Sequence, residues 1–214
     1  MTPGGPPVAS WSTVTAPALV LGRSGADTTA IESAARAEGL PVLRRSSGGG
    51  PVLWDTGLLA LDVILPRGHP LEARDVVEAY RWLGEALAGG LRALGAPDVE
   101  VVPVPRARAA RPRPADIACF GGLSPYEVLA GGRKVVGLSQ ARRRPGTLLQ
   151  AGILLDLDAS RLGRVLGGGE ALAADLVAAA AGLRELIPGI DPRRVVAAVD
   201  PALTRGGRDR AGGV

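Results

Sequence analysis

One lysine stands among arginines: of the 25 Lys and Arg residues, only Lys134 is lysine, and it lies in Gly131-Gly132-Arg133-Lys134-Val135-Val136-Gly137. An ammonium is a compact charge that enters narrow sites and aims hydrogen bonds at single oxygens, whereas a guanidinium is a wide planar fork. Lys134 is therefore either a residue that chemistry requires or the one lysine left by a general replacement of lysine by arginine. The only cysteine, Cys119, lies in Asp116-Ile117-Ala118-Cys119-Phe120-Gly121-Gly122-Leu123-Ser124-Pro125-Tyr126-Glu127. A lone cysteine is either a small buried hydrophobe or, with a cation close enough to lower its pKa, a nucleophilic thiolate. A third segment, Arg44-Arg45-Ser46-Ser47-Gly48-Gly49-Gly50-Pro51-Val52-Leu53-Trp54-Asp55, ends a strand in three glycines with two arginines before them. Glycines let backbone N–H groups approach a ligand, and flanking guanidiniums suit an anion such as a phosphate. A flexible turn gives the same pattern.

Composition narrows the chemistry. A single cysteine leaves no disulfide framework and favours a reducing, cytoplasmic setting. One cysteine and one histidine, His69, supply no zinc-type ligand set, so no metal site is expected unless carboxylates alone build one. The apolar runs near Leu58 to Leu65 and Leu172 to Leu183 are interrupted by Asp62 and Asp175 and are too short to span a bilayer. Met1 to Ser10 lacks the charged start and apolar stretch of a signal peptide. The formal charge is 25 − 21 = +4, with the excess in Arg106, Arg108, Arg111 and Arg113 and in the run Arg142, Arg143, Arg144. Such stretches either face water or meet an acidic partner. Aromatics make up only 3% of the chain, which argues against base stacking and hence against nucleic acid.

The elements that must position these residues follow from periodicity. Strands are expected at Ala18 to Leu21, Pro41 to Arg44, Leu58 to Leu65, Val99 to Val104, Tyr126 to Leu129, Lys134 to Gln140 and Leu148 to Asp158. Helices are expected at Asp27 to Glu38, Leu71 to Leu94, Ala159 to Leu166 and Leu172 to Ile187, with a short one at Pro192 to Val199. Strands joined mostly by hairpins, with helices kept apart, indicate an α+β fold with a mixed, largely antiparallel sheet flanked by helices. Residues 1–10 and 204–214 are expected to be disordered around a single domain at 11–203.

Taken in order, these segments resemble the lipoate-protein ligase and octanoyltransferase family of the biotin and lipoate ligase superfamily, over about Val42 to Asp158. Arg44-Arg45-Ser46-Ser47-Gly48-Gly49 looks like its arginine–glycine loop and Gly132-Arg133-Lys134-Val135-Val136-Gly137 like its lysine motif. Gln140 and Leu148-Leu149-Gln150 continue the resemblance, and Cys119-Phe120 with Pro125-Tyr126-Glu127 is closest to the octanoyltransferase branch. The resemblance implies a class II synthetase-like catalytic domain that passes an octanoyl, lipoyl or related acyl group to a lysine of a carrier. Cys119 and Lys134 would be catalytic, with Lys134 donating to the oxyanion. Arg44, Arg45, Ser47, Gly48, Gly49, Gly50, Gly137, Ser139 and Gln140 would bind substrate. A transferase needs no cofactor and a ligase needs ATP and Mg. The implied partner is acyl carrier protein or an acidic lipoyl-type carrier, docking on the loop Arg106 to Arg113. The chain departs from the family pattern at Trp54 and Ala151, where relatives carry histidines, and at Leu138, where they carry a small residue. A non-catalytic acyl or carrier binder would share most of these features.

Overall fold

The computed structural model describes residues 6–23, 28–109 and 112–211, without the side chains of 108, 109 and 205–211. Strands β1 (Val8–Thr13) and β2 (Ala18–Leu21) precede helix α1 (Thr29–Ala37), and β3 (Val42–Arg44), β4 (Val52–Trp54) and β5 (Leu58–Pro66) come next. A 3-10 turn at Glu78–Tyr80 leads into α2 (Arg81–Ala93), β6 (Glu100–Val101), the short α3 (Val104–Ala109) and a second 3-10 turn at Pro114–Ile117. They are followed by β7 (Val128–Ala130), β8 (Arg133–Arg143), β9 (Gly146–Leu154), α4 (Ala159–Val165), α5 (Gly169–Ala179), α6 (Leu183–Leu186) and α7 (Pro192–Ala211).

Six strands pair antiparallel in the order β1-β5-β9-β8-β7-β6. A smaller sheet, β3-β2-β4, contains the parallel pair β2/β3. This is the mixed, largely antiparallel α+β architecture that the hairpin spacing implies. Register in the large sheet separates two faces, because side chains alternate along each strand. Leu61, Ala151 and Leu138 align across β5, β9 and β8 and are all buried in the main core with Trp82, Leu83, Leu87 and Leu91 of α2 and Val195 and Val199 of α7. One residue along, Ala60, Gly152 and Gly137 align, followed by Asp62, Gln150 and Ser139. That second face holds the candidate site. The small sheet packs Leu19, Leu21 and Leu53 against Leu162, Leu172 and Leu176 of α4 and α5.

Four expectations are corrected. Val8 to Ser10 belong to β1, which covers the edge of β5, and Trp11 Nε1 donates to Asp200 of α7 at 2.7 Å. Residues 204–211 continue α7, with Leu203 packed on the main core; only 1–5 and 212–214 of the expected disordered ends lie outside the described residues. The helix expected from Leu71 begins instead at Arg81, since the Asp75 carboxylate accepts from Val77 and Glu78 N–H and Arg142 binds the carbonyls of Ala73, Arg74 and Asp75 in a turn. The helix expected over Leu172 to Ile187 breaks after Ala179 because Ala180 and Ala181 join the sheet: Ala181 N–H donates to the Lys134 carbonyl at 3.0 Å.

Leu87 is completely buried between α2 and the large sheet. Leu87→Ala is expected to lower unfolding free energy by about 2–5 kcal/mol, measured by urea denaturation with an unchanged m-value.

Candidate active site

The segment bearing Cys119 is clamped at both neighbours. Ala118 is buried under the small sheet, and the Phe120 ring is buried among Val52, Leu58 and Leu154. Cys119 itself is half-buried, and its N–H donates to the Pro51 carbonyl at 3.0 Å. The glycine loop comes against it closely: a Cβ on Gly50 would stand 2.7 Å from the Ile117 carbonyl oxygen and 3.0 Å from the Cys119 nitrogen. Glycine at 50 is therefore a packing requirement of this contact.

Lys134 approaches the same segment from β8 and is 1% exposed. Its ammonium donates to the Cys119 carbonyl at 2.7 Å, to the Gly122 carbonyl at 2.9 Å and to Glu127 Oε2 at 2.7 Å. An ammonium has three N–H donors, so all are taken, and donation to an oxyanion requires one of these bonds to break. The ammonium also lies 5.5 Å from the centre of the Phe120 ring. Glu127, 2% exposed, accepts in addition from Ser124 N–H at 2.7 Å and Leu138 N–H at 3.2 Å. Burial pushes its carboxyl above the ordinary carboxylate range, opposed by Lys134 and by these hydrogen bonds. Tyr126, just before it, has φ 67, a left-handed backbone that a bulky residue adopts only under constraint. Its hydroxyl, held by Glu78 and Arg81, supplies that constraint.

The sequence leads one to expect a thiol made acidic by Lys134. The structure gives the opposite net direction: burial pushes the Cys119 thiol above its ordinary value, and Glu127 adds to this, while Lys134 and Arg45 pull it down. The main reason is burial, and the carboxylate that accompanies the ammonium offsets part of its pull.

Arg45 holds the glycine loop. Its guanidinium donates to the carbonyls of Gly48 at 2.8 Å, Gly50 at 2.9 Å and Val20 at 3.3 Å. Gly49, at φ 100, has a backbone conformation that side chains rarely adopt, and a Cβ there would stand 2.8 Å from Arg45 Nη2 and displace it. With the carbonyls turned to Arg45, the N–H groups of Gly48, Gly49 and Gly50 donate to no backbone carbonyl among the described residues. Ser47 is buried and bonds Gln150 Oε1 at 2.7 Å; Ser139 Oγ donates to Ser47 Oγ at 3.0 Å, and Gln150 Nε2 donates to Asp62 at 2.9 Å. This polar row lies across β5, β9 and β8.

Between loop and sheet is a cavity of about 50 Å³. Its walls are Val52, Trp54, Leu58 and Phe120 with Gly137 and Gly152, and Arg45, Cys119, Asp62, Ser139 and Gln150 supply its polar atoms. Leu138 and Ala151 border it as well. These two departures from the family pattern are direct cross-strand partners, so a large residue on β8 packs beside a small one on β9. Ordinary small-molecule pockets occupy about 300–1,000 Å³, so an acyl chain enters only with movement of wall side chains.

Of the residues the sequence singles out, Cys119, Lys134, Arg45, Ser47, Gly48, Gly49, Gly50, Gly137 and Ser139 are brought together. Arg44 is not: it reaches Thr28 at 2.8 Å and Glu32 at 2.6 Å, on the α1 side. Gln140 also points elsewhere, donating to the Val76 carbonyl at 2.7 Å and accepting from Arg142 at 2.8 Å. Sequence reasoning missed Asp62, whose polar position in an alternating strand reads as a solvent face, and the counter-ion Glu127, whose only signal is a lone lysine one hairpin later.

A family model for the lipoyl protein ligase A/B catalytic domain matches residues 5–201. The chain belongs to this family. Curated relatives include octanoyltransferase LipM of Kyrpidia tusciae, 40% identical over 131 residues, covering 61% of this chain and 47% of the relative. Octanoyltransferase LipM of Staphylococcus aureus is 38% identical over 127 residues, covering 58% and 45%. The chain thus spans about half the length of these relatives. Among solved structures, lipoate-protein ligase A bound with ATP has a TM-score of 0.71 at 19% identity, covering 96% of this chain and 74% of that one. A bipartite lipoate protein ligase of Thermoplasma acidophilum, studied with its E2 lipoyl domain, has a TM-score of 0.71 at 19% identity, covering 96% and 73%. At these identities the likeness shows the fold. Among the described residues no group of three or more His, Cys, Asp or Glu side chains is placed to hold a metal ion, and no helix is long and apolar enough to cross a membrane.

The Lys134–Glu127 pair generates a direct test. Breaking a buried ion pair from one side leaves an uncompensated charge and costs about 3–5 kcal/mol. Glu127→Gln and Lys134→Met are each expected to show that loss in urea denaturation, and the double variant to recover part of it.

Proposed function

We propose that this chain transfers an octanoyl, lipoyl or related acyl group to a lysine of a carrier domain through a thioester on Cys119. The observation that carries the reading is a single thiol lining a largely apolar cavity, with the glycine loop packed against the Cys119 backbone and its N–H groups donating to no backbone carbonyl among the described residues. The Cys119 thiolate attacks the carbonyl carbon of an acyl thioester, and the donor thiol leaves with a proton. The acceptor lysine, as free amine, then attacks the Cys119 thioester; an amide forms, and the amine's surplus proton restores the Cys119 thiol. Lys134 fixes the carbonyls on either side of Phe120 and Gly121 and so sets where the sulfur stands. The glycine-loop amides are the donors this reading assigns to the developing oxyanion. Curated relatives described as octanoyltransferases match 61% and 58% of this chain.

The ligase alternative is favoured by one observation: the same loop and Arg45 suit a phosphate as well as an oxyanion. Intact-protein mass separates the two. Incubation with octanoyl carrier protein is expected to add one octanoyl group to the chain, absent in Cys119→Ser. Activity that needs ATP and Mg and survives Cys119→Ser makes the chain a ligase; binding without any mass change or turnover makes it a carrier binder.

The pH dependence follows from the raised thiol. A group whose pKa lies above its ordinary value is mostly protonated at neutral pH, so acylation of Cys119 is expected to accelerate as pH rises from about 7 to 9. A rate that is flat or falls over that range removes free-thiol ionisation as the limiting event.

The partner is an acidic carrier domain, docking on a face other than the loop read from the sequence. There, Arg106 is neutralised by Glu100 and Arg113 by Asp116; Arg111 and the Arg108 side chain lie outside the described residues. A groove at the end of the sheet is lined by Arg67, Arg74 and Arg143 and by one carboxylate, Glu72, which accepts from Gly68 N–H and Thr147; none of the three arginines is in an ion pair among the described residues. Its fourth arginine, Arg142, binds only neutral oxygens. Arg74→Glu with Arg143→Glu is expected to raise KM for carrier several-fold at low salt, with kcat little changed and the difference vanishing at high salt.

A further inference from the structure

A second cavity lies on the face of β5 opposite the active-site cleft. Ala60 and Asp62 of β5 line the cleft, whereas Val63 and Leu65 line this cavity, whose volume is about 330 Å³. Pockets that hold small molecules begin at about 300 Å³. Trp82 of α2 and Leu71 complete its buried wall, while Ala9 of β1 and Thr204 of α7 are exposed at its edge. No Asp, Glu, Lys or Arg lines it among the described residues. Its free polar groups are donors. The Trp82 indole N–H is buried, and among the described residues it is the only buried side-chain nitrogen or oxygen without a partner. Trp11, by contrast, gives its N–H to Asp200. The His69 ring, also in the lining, accepts the Leu71 N–H at Nδ1 at 3.2 Å, so the neutral imidazole carries its proton on Nε2, which meets no acceptor among the described residues. The Thr204 hydroxyl already donates to the Asp200 carbonyl at 3.0 Å.

We propose that this cavity binds a small neutral molecule with an apolar body and a carbonyl oxygen, which accepts from the Trp82 indole and from His69. Three features set that class. The walls are almost wholly apolar, so the body of the ligand gains by leaving water. A buried N–H without an acceptor is costly, so an entering oxygen relieves a penalty that a pure hydrocarbon would leave in place. An ionised carboxylate would lose its hydration and meet no Lys or Arg in the lining, which sets acids apart from neutral carbonyl compounds. The site uses neither Cys119 nor the glycine loop and is separated from them by the sheet, so it stands whether or not the chain transfers acyl groups.

The chain's three tryptophans report three places: Trp82 this cavity, Trp54 the active-site cleft and Trp11 the contact between β1 and α7. Their indole N–H resonances are followed by NMR in isotopically labelled protein while methyl hexyl ketone is added. The Trp82 resonance is expected to move downfield and saturate, and octanoate to leave it in place. Methyl resonances of Val63 and Leu71 follow the same titration in Trp82→Phe, where loss of one hydrogen bond is expected to weaken binding about five-fold. Ala9→Phe fills the cavity edge from an exposed position, spares the core, and is expected to abolish the movement of Trp82. The proposal is overturned by a ketone that moves only Trp54 or no indole at all, by octanoate acting as strongly as the ketone, or by equal affinity in Trp82→Phe. A Trp82 resonance that moves on dilution of the protein alone assigns the cavity to a contact between two copies of the chain, and that too overturns it.

Discussion

The buried contact between Lys134 and Glu127 is the constraint on which the site depends. Neither charge reaches water, so each is tolerable only because the other lies 2.7 Å away and backbone groups take up the remaining valences. Its geometry matters more than any stability it adds. One ammonium binds two carbonyls of the Cys119 segment and one carboxylate from the turn before β7, and its own backbone carbonyl receives Ala181 where α5 ends. The cysteine loop, the turn before β7 and β8 thus meet at that side chain, and the end of α5 meets its backbone. An arginine there would need a wider planar space than three converging oxygens leave, which gives a physical reason for the one lysine of a chain that otherwise uses arginine.

Sheet register does the rest of the positioning. Because β5, β9 and β8 align Leu61, Ala151 and Leu138 on one face, the adjacent rows necessarily present small and polar residues on the other. The core and the cleft are two sides of one alternation, and a slip of a single residue would exchange them. The polar row Asp62, Gln150, Ser139 is joined through Ser47 to the glycine loop, so the loop is tied to the sheet at one point and to Arg45 at another.

Much of the architecture is legible in the sequence because it rests on local signals. The alternation of Leu59, Leu61, Val63 and Leu65, the stripe along α2 and the Gly131-Gly132 and Pro145-Gly146 turns each specify an element without reference to the rest of the chain. What is lost depends on distant partners. Helix α2 starts late because Arg142, far along the chain, claims the carbonyls before it; the N-terminal strand exists because β5 offers it an edge. The site follows the same division. Residue type flags Cys119, Lys134 and the glycine loop, whereas the charge balance around the thiol requires knowing that Glu127 turns inward, and a strained Tyr126 backbone has no sequence signature of its own.

That charge balance reverses a natural reading of the motif. A cation near a thiol suggests an acidic thiol, but the effect belongs to net charge and burial together. With the ammonium neutralised by its own carboxylate and the sulfur largely shielded from water, proximity alone does not produce a thiolate. Burial is what the reactive form has to overcome, and a cavity of only about 50 Å³ means that substrate entry itself rearranges the walls. Trp54 and Phe120 wall that cavity together with Cys119, so a widening that admits an acyl chain also changes how far the sulfur is shielded from water.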